Sequence, residues 1–394
     1  MGSRPSVVVL SFSPIARDPR VLRQVRLLST VADVTTCGYG PAPDGVVRHV
    51  RVPDELAPWR PGPVGRFIGP ALLALRLHRR LYLGSPRIAF VLDALPPGSM
   101  DVVVANDALA APLALALEPR AGVHSDLHEY APRQGEDRLL WRLLVGPLMT
   151  WACRTVRSVA SATTVAPGIA DEYERTFGVR PLVVPNAAAF RPDLAPTRVG
   201  SPVRLVHIGI AGRARRLETM IDAVALAESR SPGSVTLDLV LAPGDTSYIA
   251  ELGERAQTAG GVVRVLPPVP FEEIVPVLTG YDVGVFVCPP TTFNLLHALP
   301  NKLFEFVQAR LAVVVGPSPE MARIVTEHGL GVVADGFTVE DTARALATLR
   351  PEAVTDFKAA SHRAADALSA ERLSAPWLDA VENLLGRRRA GDNA

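Results

Sequence analysis

One stretch of the sequence, residues 299–314, reads LPNKLFEFVQARLAVV. Its first part has the spacing of a short helix over Lys302–Ala309, and it runs into an apolar strand over Ala312–Val315. Another apolar run, Val283–Val287, precedes it. A strand, a helix and a second strand in this order form the unit of a parallel sheet, because the chain must cross back before it pairs in the same direction. The stretch therefore predicts an α/β fold.

The same alternation extends through the rest of the chain, and its apolar runs are typical of strands that are covered on both faces. In the second half, the other strands are predicted at Leu205–Ile208, Thr236–Leu241, Val262–Leu266 and Gly331–Val333. In the first half they are predicted at Val7–Ser11, Val34–Cys37, Val46–Val50, Val102–Ala105, Val123–Leu127, Thr163–Val165 and Leu182–Val184, with helices such as Arg20–Leu28 and Leu139–Val159 between them.

A proline-rich stretch interrupts this alternation near the middle of the chain, with four prolines between Pro185 and Pro202. We therefore predict two α/β domains of similar size, over residues 1–188 and 203–370, with a linker at 189–202 and a last segment at 371–394. Ligands of parallel sheets bind beyond the carboxyl ends of the strands. Loops that follow strands are thus the places to look for a site, and two such sheets facing each other would form a cleft.

Composition narrows the class of protein. The 394 residues are 48% hydrophobic and 21% charged, as in folded proteins, and the net charge of +1 gives no overall attraction for nucleic acid. Three distant cysteines lack the spacing of metal ligands. No apolar run reaches the ~20 residues that span a bilayer, and the first strand starts too early for a signal peptide. We expect a soluble, cytoplasmic protein.

Polar residues follow several predicted strands of the first domain. Asp18 precedes Pro19, a pair typical of a helix start. No glycine-rich dinucleotide fingerprint occupies this loop, which argues against an NAD enzyme. Asp107 is predicted to cap a helix that begins near Leu109.

A cluster of ionisable residues, Asp126-Leu127-His128-Glu129, lies at the end of another predicted strand. On a strand, Asp126 and His128 would share one face, about 7 Å apart. Such groups suit proton transfer or hydrogen bonding to substrate hydroxyls. The alternative is that they cap the next helix or pair with each other.

In the second domain, Gly209 ends a strand and is followed by Arg213, Arg215 and Arg216. Cations are unfavourable at the positive end of a helix unless an anion binds there, and a diphosphate fits this position. A solvated cluster in an arginine-rich chain is the alternative.

Lys302 and Glu305 project from one side of the short helix within residues 299–314, downstream of a loop that contains Asn294. A cation for phosphate and a carboxylate for ribose hydroxyls would fit one nucleotide. The alternative is an ordinary surface pair. Against it, the chain has only two lysines and 39 arginines, so a lysine here is unusual.

Residues 300–314 closely resemble the donor-binding Pro-x-Lys-x-x-Glu segment of glycosyltransferase family 4. Segments at Asp18–Arg23 and Asp126–Glu129 are similar to the same family. The resemblance implies a GT-B architecture with two Rossmann-like domains that face an interdomain cleft, and a last helix that crosses back to the first domain. It implies transfer of a sugar from a nucleotide-sugar to an acceptor hydroxyl with retention of configuration.

The resemblance also implies roles for individual residues. His128 and Asp126 would act at the reaction centre, with Asp18, Asp107 and Glu129 on the acceptor side. The donor would be bound by Gly209, Arg213, Arg215, Asn294, His297, Lys302 and Glu305, with Arg215 nearest the usual basic position. No cofactor is expected. No Asp-x-Asp sequence occurs, so no metal is expected either.

Two positions depart from the family pattern. Glu305 matches the second glutamate of the E-x7-E motif, but His297 stands where the first is expected, and Arg310 replaces a usual glycine. A nucleotide-sugar 2-epimerase and a non-catalytic GT-B subunit therefore remain as alternatives. The sequence does not indicate the sugar, the nucleotide, the acceptor or the oligomeric state.

A weak contact with a membrane surface is a further possibility, because arginines surround the apolar stretch Phe67–Leu77. Solvated arginines on an ordinary helix are favoured over it. The arginines are Arg60, Arg66, Arg76, Arg79 and Arg80.

Overall fold

The computed structural model describes residues 4–56 and 65–391, together with their side chains except at 65–68 and 387–391. Its contacts divide the chain into two compact units. One consists of Met1–Val184 with Ala375–Ala394, and the other of Pro185–Ser374.

The first unit contains strands β1 to β7 and helices α1 to α7. The strands are Ser6–Pro14, Asp33–Tyr39, Arg48–Arg51, Val102–Asn106, Gly122–Asp126, Ser161–Thr164 and Leu182–Val183. The helices are Pro19–Leu28, Gly65–Ala74, His78–Leu83, Pro86–Ala94, Ala111–Ala116, Gly146–Thr155 and Pro167–Phe177. The strands form one parallel sheet in the order β3-β2-β1-β4-β5-β6-β7.

The second unit repeats this plan with strands β8 to β13 and helices α8 to α16. The strands are Val203–Ile210, Val235–Ala242, Val263–Leu266, Val283–Phe286, Ala312–Val315 and Gly331–Val333. The helices are Glu218–Arg230, Thr246–Thr258, Ile274–Leu278, Phe293–Leu296, Asn301–Gln308, Pro319–His328, Val339–Leu346, Pro351–Ala364 and Ala370–Leu373. The sheet is parallel in the order β10-β9-β8-β11-β12-β13. The predicted α/β class with two Rossmann-like parallel sheets is confirmed.

Residues of β1 show why apolar runs identify these strands. Val7 and Val9 belong to the core on one face of the sheet, whereas Val8 and Leu10 belong to the core on the other. Because helices cover both faces, both sets of alternating side chains must be apolar. The last helix, α17 (Ala375–Gly391), packs on the face of Val7 and Val9 through residues that include Trp377.

Each sheet has one place where the strand order reverses direction. In the first unit it lies between β1 and β4, and in the second between β8 and β11. The loops that leave neighbouring strands at such a point run to opposite faces of the sheet and open a crevice at the carboxyl ends. The candidate residues of each unit are therefore located relative to these two edges.

The helix expected over Leu139–Val159 is present, as a π-helical turn at Trp141–Val145 that continues into α6 and a 3-10 turn at Val156–Ser158. Helices α2 and α3 cover most of the arginine-flanked stretch that was interpreted as an ordinary helix, although Pro70 lies inside α2, whereas α4 falls where no helix was predicted. None of the helices among the described residues has the length and apolar character needed to cross a bilayer.

Candidate functional site

Gly209 brings two cations together at the carboxyl end of β8. Its φ of +152° suits glycine, and a Cβ atom there would lie 2.8 Å from Nζ of Lys302 and 3.1 Å from Nη1 of Arg215. No other residue type fits without displacing both side chains. Lys302 extends from the first turn of α12, and Arg215 extends from the turn after β8. The structure thus joins two segments that lie almost 90 residues apart in sequence.

Neither cation forms an ion pair with a carboxylate in the part of the chain that the structure describes, and Glu305, which raises the pKa of Lys302, makes no ion pair with it. Arg215 has its Nη1 atom buried with no hydrogen-bond partner. Burial and then the charge of Arg215 lower the pKa of half-buried Lys302 from 10.5 to about 8. Two adjacent positive charges that form no ion pair are unfavourable unless an anion joins them. This position therefore suits a phosphate or diphosphate.

The residues beneath the two cations add no negative charge. His207 on β8 is fully buried; its Nδ1 lies 2.9 Å from the carbonyl oxygen of Val285, and its Nε2 has no partner. Burial and then Lys302 lower the pKa of His207 to about 3, so it is neutral. Burial raises the pKa of the Cys288 thiol to about 12, so it is neutral too. His207 was not identified from the sequence, because a single histidine within a strand looks like any core residue.

Glu305 lies one turn after Lys302 on α12, and it is only 7% exposed. Burial raises the pKa of Glu305, although Lys302 acts in the opposite direction. The two side chains, both of which the structure describes, form no ion pair. The alternative of an ordinary surface pair is therefore wrong. A buried carboxylate without an ion-pair partner is suited to accept hydrogen bonds from a ligand.

The neighbouring arginines differ from Arg215 because their charges are compensated. Arg213 is exposed and forms ion pairs with Asp245, at 2.9 Å, and with Glu251, at 2.8 Å. Arg216 adopts φ +48° and lies 3.5 Å from Glu218. Arg213 was predicted to bind the donor; its side chain is engaged by these two carboxylates, and its role at the donor stays a prediction.

His297 follows the short helix α11, in a region that was expected to be a loop. Its Nδ1 lies 3.1 Å from a carboxylate oxygen of Glu320, and its ring centroid lies 4.6 Å from that of Phe293. Glu320, at the start of α13, is 5% exposed. The sequence offered no sign of this pairing, because 23 residues separate the two side chains. Asn294 lies half-buried on α11.

In the first unit, a buried polar network occupies the carboxyl end of β5. Asp126 accepts hydrogen bonds from Gln24 Nε2 at 2.6 Å and from Thr163 Oγ1 at 3.1 Å. Arg20 lies between Asp126, at 3.8 Å, and Asp107, at 3.1 Å. Burial would lower the pKa of Arg20, but the two carboxylates raise it. Because both oxygens of Asp126 are engaged, its geometry suits positioning of Arg20 better than proton transfer.

His128 and Glu129 lie just beyond this network. Strand β5 ends at Asp126, and His128 has φ +53°, so the expectation that Asp126 and His128 share a strand face is wrong. The carbonyl of His128 accepts a hydrogen bond from Thr164 Oγ1 at 2.7 Å, which holds this turn. The carbonyl of Glu129 accepts one from Tyr173 at 3.0 Å. Both side chains are half-buried, and their predicted roles stay predictions.

The two aspartates expected at helix starts behave differently. Asp18 caps α1 by accepting hydrogen bonds from the amides of Arg20 and Val21, as expected. Asp107 caps no helix, because α5 begins at Ala111 without a side-chain cap. Asp107 has φ +66° and pairs with Arg20 instead. The sequence could not show this pairing, since 87 residues separate the two.

No protein-family model and no curated protein sequence matches this chain. Solved structures do match. An α,α-trehalose 6-phosphate synthase from Burkholderia multivorans has a TM-score of 0.69 at 12% identity, over 98% of this chain and 100% of that one. The Anabaena HepE protein in complex with UDP and glucose has a TM-score of 0.69 at 13% identity, over 96% and 100%. The E. coli trehalose-6-phosphate protein, bound with UDP-2-fluoro glucose, has a TM-score of 0.66 at 11% identity, over 96% of this chain and 98% of that one. The chain therefore has the GT-B fold, with two Rossmann-like α/β units.

Proposed function

We propose that this protein is a glycosyltransferase that takes its sugar from a nucleotide-sugar donor. The observation that carries the proposal is the uncompensated pair of Lys302 and Arg215 at Gly209. It lies at the carboxyl end of the strand where the second sheet reverses its order, which is where ligands of such sheets bind. Solved structures with this fold include HepE with UDP-glucose.

In this proposal, Lys302 and Arg215 hold the diphosphate of the donor. When the glycosidic bond breaks, the leaving nucleoside diphosphate gains negative charge, so the two cations stabilise the transition state more than the ground state. Because they are already in place, no reorganisation is needed during the reaction. No side chain caps the first turn of α12, which leaves backbone N–H groups for the phosphate oxygens.

Other groups have supporting roles. Buried Glu305 accepts hydrogen bonds from the ribose hydroxyls, and His297, held by Glu320, contacts the donor sugar together with Asn294. His128 lies on the acceptor side with Glu129. Transfer proceeds with retention of configuration and without a divalent metal, because cationic side chains take the place of the metal at the diphosphate.

Two measurements test the proposal. UDP and GDP are titrated into the purified protein by calorimetry, and product formation from a panel of nucleotide-sugars is followed with and without acceptors. Binding of a nucleoside diphosphate together with acceptor-dependent product supports a transferase. Conversion of a nucleotide-sugar without any acceptor indicates the epimerase, and failure to bind any nucleotide, in a titration extended to ADP and dTDP, indicates a non-catalytic subunit.

A further inference from the structure

Arg87 is a buried cation at the ligand-binding edge of the first sheet. It is the second residue of α4 and is only 6% exposed. Its guanidinium lies 3.8 Å from the ring centroid of Phe12 on β1, and its Nη1 lies 3.5 Å from the hydroxyl of Tyr39, the last residue of β2. Both contacts are with the carboxyl-terminal parts of their strands, and both aromatic residues are half-buried.

The charge of Arg87 has no counter-charge in the part of the chain that the structure describes. Its Nε is buried without a hydrogen-bond partner. The aromatic ring of Phe12 attracts the guanidinium but does not neutralise it. The location of Arg87 in the first turn of α4 destabilises its charge further, because the positive end of the helix dipole repels a cation. Arg20, at the same edge, shows the contrast, since two aspartates compensate it.

A buried charge without a partner is strongly destabilising, and buried charges in native proteins are normally paired. The missing partner of Arg87 is therefore an anion that the described residues do not supply. A guanidinium recognises phosphate and carboxylate through paired, planar hydrogen bonds. The rings of Phe12 and Tyr39 next to it offer apolar surface for the carbon face of a sugar.

We propose that Arg87, Phe12 and Tyr39 form a subsite for an acidic acceptor sugar, with Arg87 binding its phosphate or carboxylate group. The identity of the ligand as the acceptor rests on the proposed function. The presence of an anion subsite does not, because it follows from the surroundings of Arg87 alone. The donor pair, Lys302 and Arg215, belongs to the other unit and another sheet.

The experiment is a calorimetric titration of the full chain with glucose 6-phosphate, glucuronate and uncharged glucose. Two proteins are compared, Lys302→Met and the double variant Lys302→Met with Arg87→Met. The background substitution weakens anion binding at the Lys302–Arg215 pair, so that binding at Arg87 is measured by itself. We expect the acidic sugar of the correct class to bind about 10-fold or more weakly after Arg87→Met. Whether glucose 6-phosphate or glucuronate shows the effect distinguishes phosphate from carboxylate, and glucose binding should not change.

Arg79→Met is the matched control, because Arg79 is exposed and belongs to the preceding helix. It should leave every affinity unchanged. If Arg87→Met does not fold, Arg87→Lys decides, since it keeps the charge but loses the planar fork and should weaken binding several-fold. Equal affinities for both acidic sugars in wild-type and folded Arg87 variants, or no binding of either, would overturn the subsite. UDP binding is measured in the wild-type protein, so that a failure of the donor site is recognised separately.

Discussion

Replacement of Lys302 by Met should make the protein more stable and bind nucleotide less well. A pKa near 8 instead of 10.5 corresponds to roughly 3 kcal/mol against the charged form. Because the side chain is half-buried, screening by solvent reduces this to about 1–3 kcal/mol. Met has a similar volume and no charge. The free energy of unfolding at pH 7, measured by urea denaturation without ligand, should therefore increase by about that amount.

The pH dependence of the free energy of unfolding follows from the difference between the pKa of Lys302 in the folded and in the unfolded chain. Between about pH 8 and 10.5 the unfolded chain binds more protons at Lys302 than the folded chain does, so the stability of the wild type rises with pH there. The destabilisation by Lys302 is complete below pH 8 and is lost as the pH approaches 10.5. Lys302→Met should lack this rise.

Folding favours the neutral form of Lys302, whereas nucleotide binding should favour the charged form. A bound diphosphate restores a counter-charge to Lys302 and raises its pKa, so UDP affinity should fall above about pH 8, by up to tenfold per pH unit. At pH 7, loss of a charged hydrogen bond, about 1.5–3 kcal/mol, should weaken UDP binding about 10- to 150-fold. Lys302→Arg should remove the pH dependence, because arginine stays charged, and recover only part of the affinity.

The other lysine of the chain is the matched control. Lys358 is 1% exposed and lies 3.4 Å from the buried carboxylate of Asp282. Burial lowers the pKa of Lys358 too, but its ammonium also donates hydrogen bonds to Thr197 Oγ1 and the carbonyl of Tyr281, which Met cannot make. Lys358→Met should therefore destabilise the protein and leave UDP affinity unchanged. The reasoning about Lys302 is refuted if Lys302→Met loses stability as Lys358→Met does, or if it binds UDP like the wild type.

Four further outcomes are expected. Glu305→Ala should weaken nucleotide binding about 10- to 150-fold, and a nucleoside diphosphate without both ribose hydroxyls should bind wild type and variant equally; continued strong discrimination by the variant would exclude the ribose role. His128→Ala should lower kcat while nucleotide affinity stays within a few-fold, and unchanged turnover in the folded variant would make His128 structural. Transfer should persist in EDTA, and complete loss that magnesium or manganese reverses would contradict the metal-free mechanism. Binding to anionic phospholipid vesicles, if the basic segment contacts membranes, should weaken in high salt and after Arg79→Glu with Arg80→Glu; no sedimentation with such vesicles would exclude the contact.

The membrane prediction concerns arginines of which the structure describes only some. Arg60 lies outside the described residues, and the side chain of Arg66 is not described. Arg76, Arg79 and Arg80 are exposed. Exposed leucines also occur at the π-helical turn of the same unit, where Leu143 is 59% exposed and Leu140, directly before the turn, is 72% exposed.

The fold was predictable because its signal is local and repeated. Strand β12 was placed at its observed bounds, Ala312–Val315, since a strand covered on both faces has no polar position to interrupt the run. Local signals also identified Asp18 as a helix cap. They failed at His128, because a left-handed residue after a strand looks the same in sequence as one more strand residue.

Charge compensation was the part that the sequence could not show. Arg213 and Arg215 are two residues apart, yet only Arg213 meets carboxylates, and these lie 32 and 38 residues further along the chain. Arg87 was not identified at all, because the absence of a partner leaves no pattern. Lys302 was singled out by composition, in a chain that otherwise uses arginine. Composition did not separate it from Lys358, whose role is structural.

The distribution of compensated charges in the second unit supports the site independently of any resemblance. At the amino ends of its strands, Arg204 and Lys358 both pair with buried Asp282, and Arg264 pairs with Asp238. At the carboxyl end of the same sheet Arg213 is paired too, but Lys302 and Arg215 form no ion pair with any residue that the structure describes.

A sheet that compensates its cations at one edge can do so at the other, and a single aspartate near Gly209 would stabilise the unliganded protein. That aspartate would also repel a diphosphate. We therefore expect Lys302 and Arg215, unlike Arg213 at the same edge, to be left unpaired for a ligand that is an anion.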